Sequence, residues 1–138
     1  NYRMTDIQAA LGLSQMQKLN DFLQKRKNIA INYWQKINQS HVSLLKEFND
    51  RESARHLMVI RINNDNRQKA YNYFYKNGIS VNVHYIPIYM HPFHREKKST
   101  LINAFSFYSE CLTIPLYPLL NESELDIIIS TVNSLSGT

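Results

Sequence analysis

Two polar side chains at the start of the chain, Asn1 and Arg3, have the types and the spacing of an anion-binding pair. Residues Thr5 to Gln8 have the pattern of a capping box, in which the Thr hydroxyl and the Gln amide bond each other's backbone N–H groups, so a helix is predicted to begin at Thr5. Asn1 and Arg3 then fall in an extended lead-in, where alternate side chains point to one side. Arginine provides a planar fork for phosphate or carboxylate, and asparagine provides an amide donor. The alternative is a surface salt bridge at Arg3 and a frayed end at Asn1.

A second candidate site lies at the end of a predicted strand, residues 79–86. The apolar side chains of this strand alternate with Ser80, Asn82 and His84, and Tyr85 leads into a proline-containing loop. A strand end that opens into an irregular aromatic loop is a common ligand site in α/β sheets. Ordinary solvent exposure explains Ser80 and Asn82 well, but it explains His84 beside Tyr85 less well.

The spacing of His91 and His94 suggests a metal site, but the surrounding residues argue against it. Pro92 disrupts the helix that would align the two imidazoles, and Glu96 is the one nearby carboxylate. We therefore predict no metal. With three glycines in the chain, a glycine-rich phosphate loop is excluded as well.

Length and composition indicate one globular domain of 138 residues with a real core, and they argue against disorder. The net charge of +5 favours anionic partners, but it is spread along the chain and no nucleic-acid recognition motif accompanies it. The single Cys111 cannot form an internal disulfide and is expected to be a small core residue. The sequence has no signal peptide or apolar run of membrane length, so we predict a cytoplasmic protein without membrane or nucleic-acid partners.

The order of predicted elements indicates an α/β sandwich with helices on one sheet face. A long N-terminal helix covers about 5–37, with a bend near Gly12, and Asn77-Gly78 and Asn121 mark the end and the start of later helices. The remaining predicted elements are strands at 42–48, 57–62, 79–86 and 112–114, and helices from 66 to 77, from 102 to 111 and after 121.

Several motifs of the sequence, taken together, resemble those of a known protein family. The motifs are residues 1–12 (Asn-Tyr-Arg-Met-Thr-Asp-Ile-Gln-Ala-Ala-Leu-Gly), Gln15-x-x-Lys18-Leu19, Arg26, His56-Leu57, residues 78–83, His84-Tyr85-x-Pro87 and Leu112-x-x-Pro115-Leu116. In this order they resemble the C-terminal part of the DegT/StrS nucleotide-sugar aminotransferases, fold-type I enzymes that use pyridoxal phosphate. The resemblance implies a small, mostly antiparallel sheet with helices on one face.

The resemblance also implies residue roles. Asn1 would bind the phosphate of the pyridoxal phosphate in the partner subunit of a homodimer, and Arg3 would approach the substrate diphosphate at that same site. His84 and Tyr85 would lie beside the sugar-nucleotide pocket. No catalytic residue is expected in this segment, because the Schiff-base lysine and the aspartate that pairs with the cofactor ring belong upstream of Asn1 in such enzymes.

By the same resemblance, residues 1–138 are a C-terminal small domain with its linker helix, about 5–37, and the large cofactor domain is missing upstream. The chain is thus expected to be an inactive fragment of an enzyme that moves an amino group, from a donor such as glutamate, to a UDP- or dTDP-linked keto sugar. The nearest resemblance is to enzymes that aminate UDP-4-keto-6-deoxy-N-acetylhexosamines. Two alternatives stay open: a non-catalytic α/β ligand-binding module, and a domain whose long helix makes a dimer.

Overall fold

The computed structural model describes residues 2–62, 66–94 and 101–137. The described elements follow in the order α1 (Asp6–Met16), α2 (Leu19–Lys36), β1 (Val42–Leu44), β2 (Met58–Ile62), α3 (Arg67–Lys76), α4 (Ile102–Glu110), β3 (Cys111–Ile114) and α5 (Glu122–Asn133), with short 3₁₀ turns at Ile88–Met90, Pro92–His94 and Ser134–Gly137.

The three strands form one antiparallel sheet in the order β1-β2-β3, with Ile60 of the central strand opposite Leu44 and Leu112. The described core joins the buried residues of this sheet to apolar side chains of α2, α3 and α5. Tyr33 and Phe74 are its largest fully buried side chains. The predicted mixed α/β fold with a small antiparallel sheet is therefore confirmed.

The predicted continuous helix over 5–37 is two helices in the structure, and the break lies at Gln17 and Lys18 rather than near Gly12. The Lys18 N–H bonds the carbonyl of Gln15 at 3.0 Å, which tightens the last turn of α1 into a 3₁₀ geometry. The break coincides with a change of surroundings. Helix α1 has no buried residue, whereas α2 buries three.

The prediction of a regular strand at 79–86 was wrong, because the structure has no strand element there. Ile79 and Val81 do point into the core, but the segment pairs with the sheet only through one antiparallel bridge between Asn82 and Thr113. Asn82 and Thr113 form a hydrogen-bonded pair, so the N–H of Val83 points away from β3, and it donates to the Asn82 side chain at 2.8 Å. The strand predicted at 42–48 is likewise shorter and ends at Leu44.

The predicted helix ends are confirmed at two places. Gly78 has a φ of +72°, and the N–H of Ile79 bonds the Phe74 carbonyl at 3.0 Å, as expected of a left-handed helix end. Asn121 and Glu124 form a complete capping box at the start of α5.

Candidate functional site

Helix α1 begins with a complete capping box, and an exposed arginine lies in the segment that precedes it. The Thr5 N–H donates to the Gln8 side chain at 2.9 Å, and the Gln8 N–H donates to the Thr5 hydroxyl at 3.3 Å, which confirms the predicted capping box. Thr5 itself is extended, with φ −76° and ψ 161°. Arg3 is exposed, and no ion pair or hydrogen bond within the described part of the chain engages it. Asn1 lies outside the described residues.

Helix α1 exposes large apolar side chains although it is firmly capped. Those with more than half of their surface exposed, including one from the lead-in, are Met4, Ile7, Leu11, Leu13 and Met16. An apolar helix surface of this kind is a mark of an interaction site on a globular protein. We call this surface the α1 apolar surface.

His84 lines a groove of about 590 Å³ between α5, the end of β3 and the segment that follows α3. Its Nδ1 lies 2.8 Å from the hydroxyl oxygen of Thr113. Tyr85 packs edge-on against the imidazole with ring centroids 4.7 Å apart, but Tyr85 is 72% exposed and is not among the described residues that line the groove. The rings of His84 and Tyr85 are therefore in contact, but of the two residues only His84 lines the groove.

The groove carries polar groups at its rim and apolar groups on its walls. Tyr117 donates a long hydrogen bond of 3.4 Å to the carboxylate of Glu124. Burial, and then the negative charge of Glu124, raise the pKa of the Tyr117 hydroxyl, which keeps it protonated as a donor. Neither lysine nor arginine occurs among the described residues that line the groove.

Helix α2 holds two segments of the groove rim through one guanidinium group. The Nη1 of Arg26 donates to the carbonyl oxygens of Arg55 at 3.0 Å, His56 at 3.2 Å and Leu116 at 2.9 Å. His56 and Leu116 both line the groove. Arg26 therefore ties α2 to two backbone segments that line the groove.

A second bond from α2 reaches the same end of β3. The hydroxyl of Tyr33, a fully buried residue, donates to the carbonyl of Pro115 at 2.7 Å. Desolvation raises the pKa of this phenol well above its usual range, so it stays protonated.

The described residues offer no metal site. No group of three or more His, Cys, Asp or Glu side chains is gathered in the described ranges. His91 lies 3.3 Å from the Ile86 carbonyl, and His94 packs against Phe93. Cys111 is buried, in agreement with its predicted core role, and burial raises the pKa of its thiol.

The rings of the chain neighbours His84 and Tyr85 are thus in contact, whereas Arg3 lies on the exposed lead-in to α1 and is not among the described residues that line the groove. Within the described residues, no recorded hydrogen bond or ion pair joins Arg3 to the groove. Sequence reasoning missed Thr113 as the partner of His84. The available signal was a single hydroxyl in an otherwise apolar strand, Cys-Leu-Thr-Ile.

Together, these features define a small α/β domain that has a groove at one sheet end and an apolar helical arm. Residues 1–133 match the model of the DegT/DnrJ/EryC1/StrS aminotransferase family, and the chain belongs to this family. Family members depend on pyridoxal phosphate. This confirms the family resemblance drawn from the sequence motifs.

Individual relatives agree with the assignment. The chain is 30% identical over 143 residues to the spore coat polysaccharide biosynthesis protein SpsC of Bacillus subtilis, covering 96% of this chain and 36% of SpsC. It is 30% identical over 141 residues to a UDP-4-amino-4,6-dideoxy-N-acetyl-beta-L-altrosamine transaminase of Campylobacter jejuni, covering 98% of this chain and 38% of that enzyme.

A solved structure shares the fold. A Streptococcus pneumoniae protein described as a sugar aminotransferase, solved in a pyridoxal-phosphate form and a pyridoxamine-phosphate form, superposes with a TM-score of 0.86 at 32% identity. The superposition covers 95% of this chain and 35% of that protein. The chain therefore spans a little over a third of the length of the relatives it matches. In the described ranges, no helix has the length and hydropathy needed to cross a bilayer.

Proposed function

We propose that this chain is the small domain, with its linker helices, of a pyridoxal-phosphate-dependent aminotransferase that aminates a keto sugar nucleotide. In this proposal the large cofactor domain lies upstream, and the active site is shared between two subunits of a homodimer. The observation that carries the proposal is the exposed arm formed by Arg3 and α1, in a chain that belongs to a sugar aminotransferase family.

The α1 apolar surface supports a shared site. Each large apolar side chain that becomes buried contributes about 1.5–3 kcal/mol, so covering several of them on α1 would favour association strongly. A two-fold dimer would cover both copies of α1 and carry each Arg3 to the neighbouring molecule.

The charge of the groove supports the same arrangement. A nucleotide diphosphate carries two negative charges or more and is bound most strongly by cationic side chains, and the described lining of the groove contains neither lysine nor arginine. Arg3 is exposed and provides a bidentate fork for phosphate. We therefore assign the diphosphate to Arg3 of one subunit, and the sugar end to His84 with Tyr85 at the rim of the other.

In this proposal the chain contacts the cofactor at the cofactor's phosphate end only. When bound, pyridoxal phosphate acts as the electron sink that allows an amino group to move between carbon atoms. Asn1 is our candidate for its phosphate, in the partner subunit's site. The described groove lining contains no lysine that could attach the cofactor, so we expect residues 1–138 alone to be inactive. Borohydride reduction of the chain with pyridoxal phosphate should leave no covalent adduct at the groove.

The substrate class rests on the relatives. The Campylobacter jejuni relative is named as a transaminase of a UDP-linked dideoxy amino sugar. We propose a UDP- or dTDP-linked keto sugar as acceptor, with a UDP-4-keto-6-deoxy-N-acetylhexosamine as the first compound to test and glutamate as donor. We also propose a cytoplasmic location, in keeping with a single buried thiol and no disulfide within the described residues.

A chimaera tests the proposal. This chain replaces the matching segment of the Campylobacter jejuni transaminase, and the amino transfer is followed through 2-oxoglutarate release. The chimaera should turn over the keto sugar. Arg3→Ala should raise the KM for the sugar nucleotide by about tenfold or more, because a charge-assisted hydrogen bond to phosphate contributes about 1.5–3 kcal/mol. A folded, cofactor-loaded chimaera without any turnover would contradict the proposal.

Mixing two impaired chimaeras, assayed at a sugar-nucleotide concentration well below the KM of either variant, tests whether the site is shared. Dimers with Arg3→Ala are unfolded and refolded together with dimers carrying His84→Ala. If Arg3 and His84 serve one site from different subunits, half of the dimers are mixed and one of their two sites is intact, so about a quarter of the activity returns. If both residues act within one subunit, no mixed dimer contains an intact site and the activity stays at the level of the single variants.

A dimerisation module is the second candidate function, because the α1 apolar surface by itself favours self-association. Size-exclusion chromatography with light scattering would show a dimer in either case. Only the aminotransferase proposal expects turnover by the chimaera.

A further inference from the structure

We propose that Thr113 is a positioning residue for His84, which fixes the imidazole so that its Nε2–H faces outward as a hydrogen-bond donor for an acceptor oxygen of the groove's ligand. The functional meaning of this donor rests on the proposed function of His84. The orientation of the ring itself can be measured without any ligand.

The hydroxyl of Thr113 is held rigidly because its strand is bonded on both sides. Thr113 lies opposite Val59 in β2. On the other side its N–H donates to the Asn82 carbonyl at 2.7 Å, and its carbonyl accepts from the Asn82 N–H at 3.2 Å. Asn82 is two residues before His84, so the same bridge that fixes the hydroxyl also fixes the backbone that carries the imidazole.

The direction of the hydrogen bond follows from hydrogen-bond satisfaction. Thr113 is only 8% exposed, and within the described residues its hydroxyl has one partner, the Nδ1 of His84 at 2.8 Å. If Nδ1 carried the proton, the buried hydroxyl hydrogen would have no acceptor, and an unmet buried donor costs about 1–3 kcal/mol. The favoured arrangement has the hydroxyl donating to an unprotonated Nδ1, which places the ring proton of neutral His84 on Nε2.

The remaining sides of the ring agree with this arrangement. Tyr85 packs against the imidazole at an interplanar angle of 76°, which limits rotation of the ring. In the part of the chain that the structure describes, Nε2 has no hydrogen-bond partner, while His84 itself lines the groove. Nε2–H is therefore the polar group that the ring offers to a ligand, and it suits a phosphate, hydroxyl or carbonyl oxygen.

The test uses the ¹⁵N-labelled chain at about pH 8, with NMR spectra that connect the ring carbon-bound protons to both ring nitrogens. The wild-type chain should show His84 in the Nε2–H form alone. Thr113→Val should release the ring into a mixture of both forms, and Thr113→Ser should restore the single form. Thr131→Val is the matched control, because Thr131 is 6% exposed and bonds the Ile127 carbonyl instead, so His84 should not change.

The wild-type spectrum alone can overturn the proposal, even if a variant fails to fold. A proton on Nδ1, or averaging between the two forms, would refute it, as would an unchanged ring in a folded Thr113→Val chain. Titration with UDP-N-acetylglucosamine as probe separates the two hypotheses. Binding should shift Nε2 and weaken by about fivefold in Thr113→Val, which corresponds to one net hydrogen bond. A fixed ring that no probe perturbs would support the role of Thr113 and count against the proposed role of His84.

Discussion

Removing the Tyr33 hydroxyl tests how α2 supports the groove. Tyr33→Phe keeps the ring that fills the core and deletes the bond of 2.7 Å to the Pro115 carbonyl. The carbonyl is left without its partner, so the free energy of unfolding should fall by about 1–3 kcal/mol at neutral pH. For 138 residues, each kcal/mol corresponds to a Tm change of about 3–4 °C.

The pH dependence of this variant has a defined sign. Burial raises the pKa of Tyr33 in the folded state, whereas an unfolded tyrosine titrates near pKa 10, at about its usual value. Above about pH 10 the unfolded chain therefore releases a proton that the folded chain keeps, so the stability from this group is complete below that pH and falls as the pH rises. The slope approaches about 1.4 kcal/mol per pH unit, so the gap between wild type and Tyr33→Phe should shrink by about that amount between roughly pH 10.5 and 11.5.

The assay is urea unfolding followed by circular dichroism at neutral pH and at the two alkaline values. Tyr75→Phe is the control, because Tyr75 is 76% exposed and should change stability by less than about 0.5 kcal/mol at every pH. Equal stability of Tyr33→Phe and wild type at neutral pH would refute the role of the hydrogen bond. A gap that stays constant into the alkaline range would refute the argument about burial.

Three further predictions follow from other contacts. Arg26→Met should lower the free energy of unfolding by about 2 kcal/mol, measured by urea unfolding, because three carbonyl oxygens lose a charged donor. Asn133→Ala should cost about 1 kcal/mol in the same assay, since Asn133 bonds the Asn38 N–H at 2.8 Å and the Lys36 carbonyl at 3.0 Å at the end of α2. Leu11→Glu should leave unfolding within about 0.5 kcal/mol of wild type and reduce self-association in light scattering, and an unchanged dimer fraction would exclude α1 from the interface.

Helix boundaries could be predicted well from the sequence where local hydrogen bonds determine them. The capping boxes at Thr5 and Asn121 and the left-handed end at Gly78 depend on residues within a few positions of one another. The break at Gln17 and Lys18 could not be predicted in the same way, because the apolar spacing continues through it. What changes there is the surroundings, from an unburied α1 to a core-packed α2.

The sequence predicted candidate site residues, and the structure shows which of their contacts could be expected from the sequence. His84 and Tyr85 were predicted from an aromatic pair at a strand end, and their rings are in edge contact, while their binding role stays a prediction. The contact between His84 and Thr113 joins residues 29 positions apart, and no periodic pattern encodes it. The pairing of residues 79–86 with the sheet is limited to the bridge between Asn82 and Thr113, and the alternation of apolar side chains does not encode where such a pairing stops.

The three-carbonyl contact of Arg26 has a mechanical consequence for the whole domain. One nitrogen of α2 is bonded to the backbone before β2 and to the backbone after β3, and these two neighbouring stretches both contribute to the lining of the groove. A displacement of α2 would carry both of these stretches with it as one rigid body. This side of the groove would therefore move as a unit with α2 and keep its own shape.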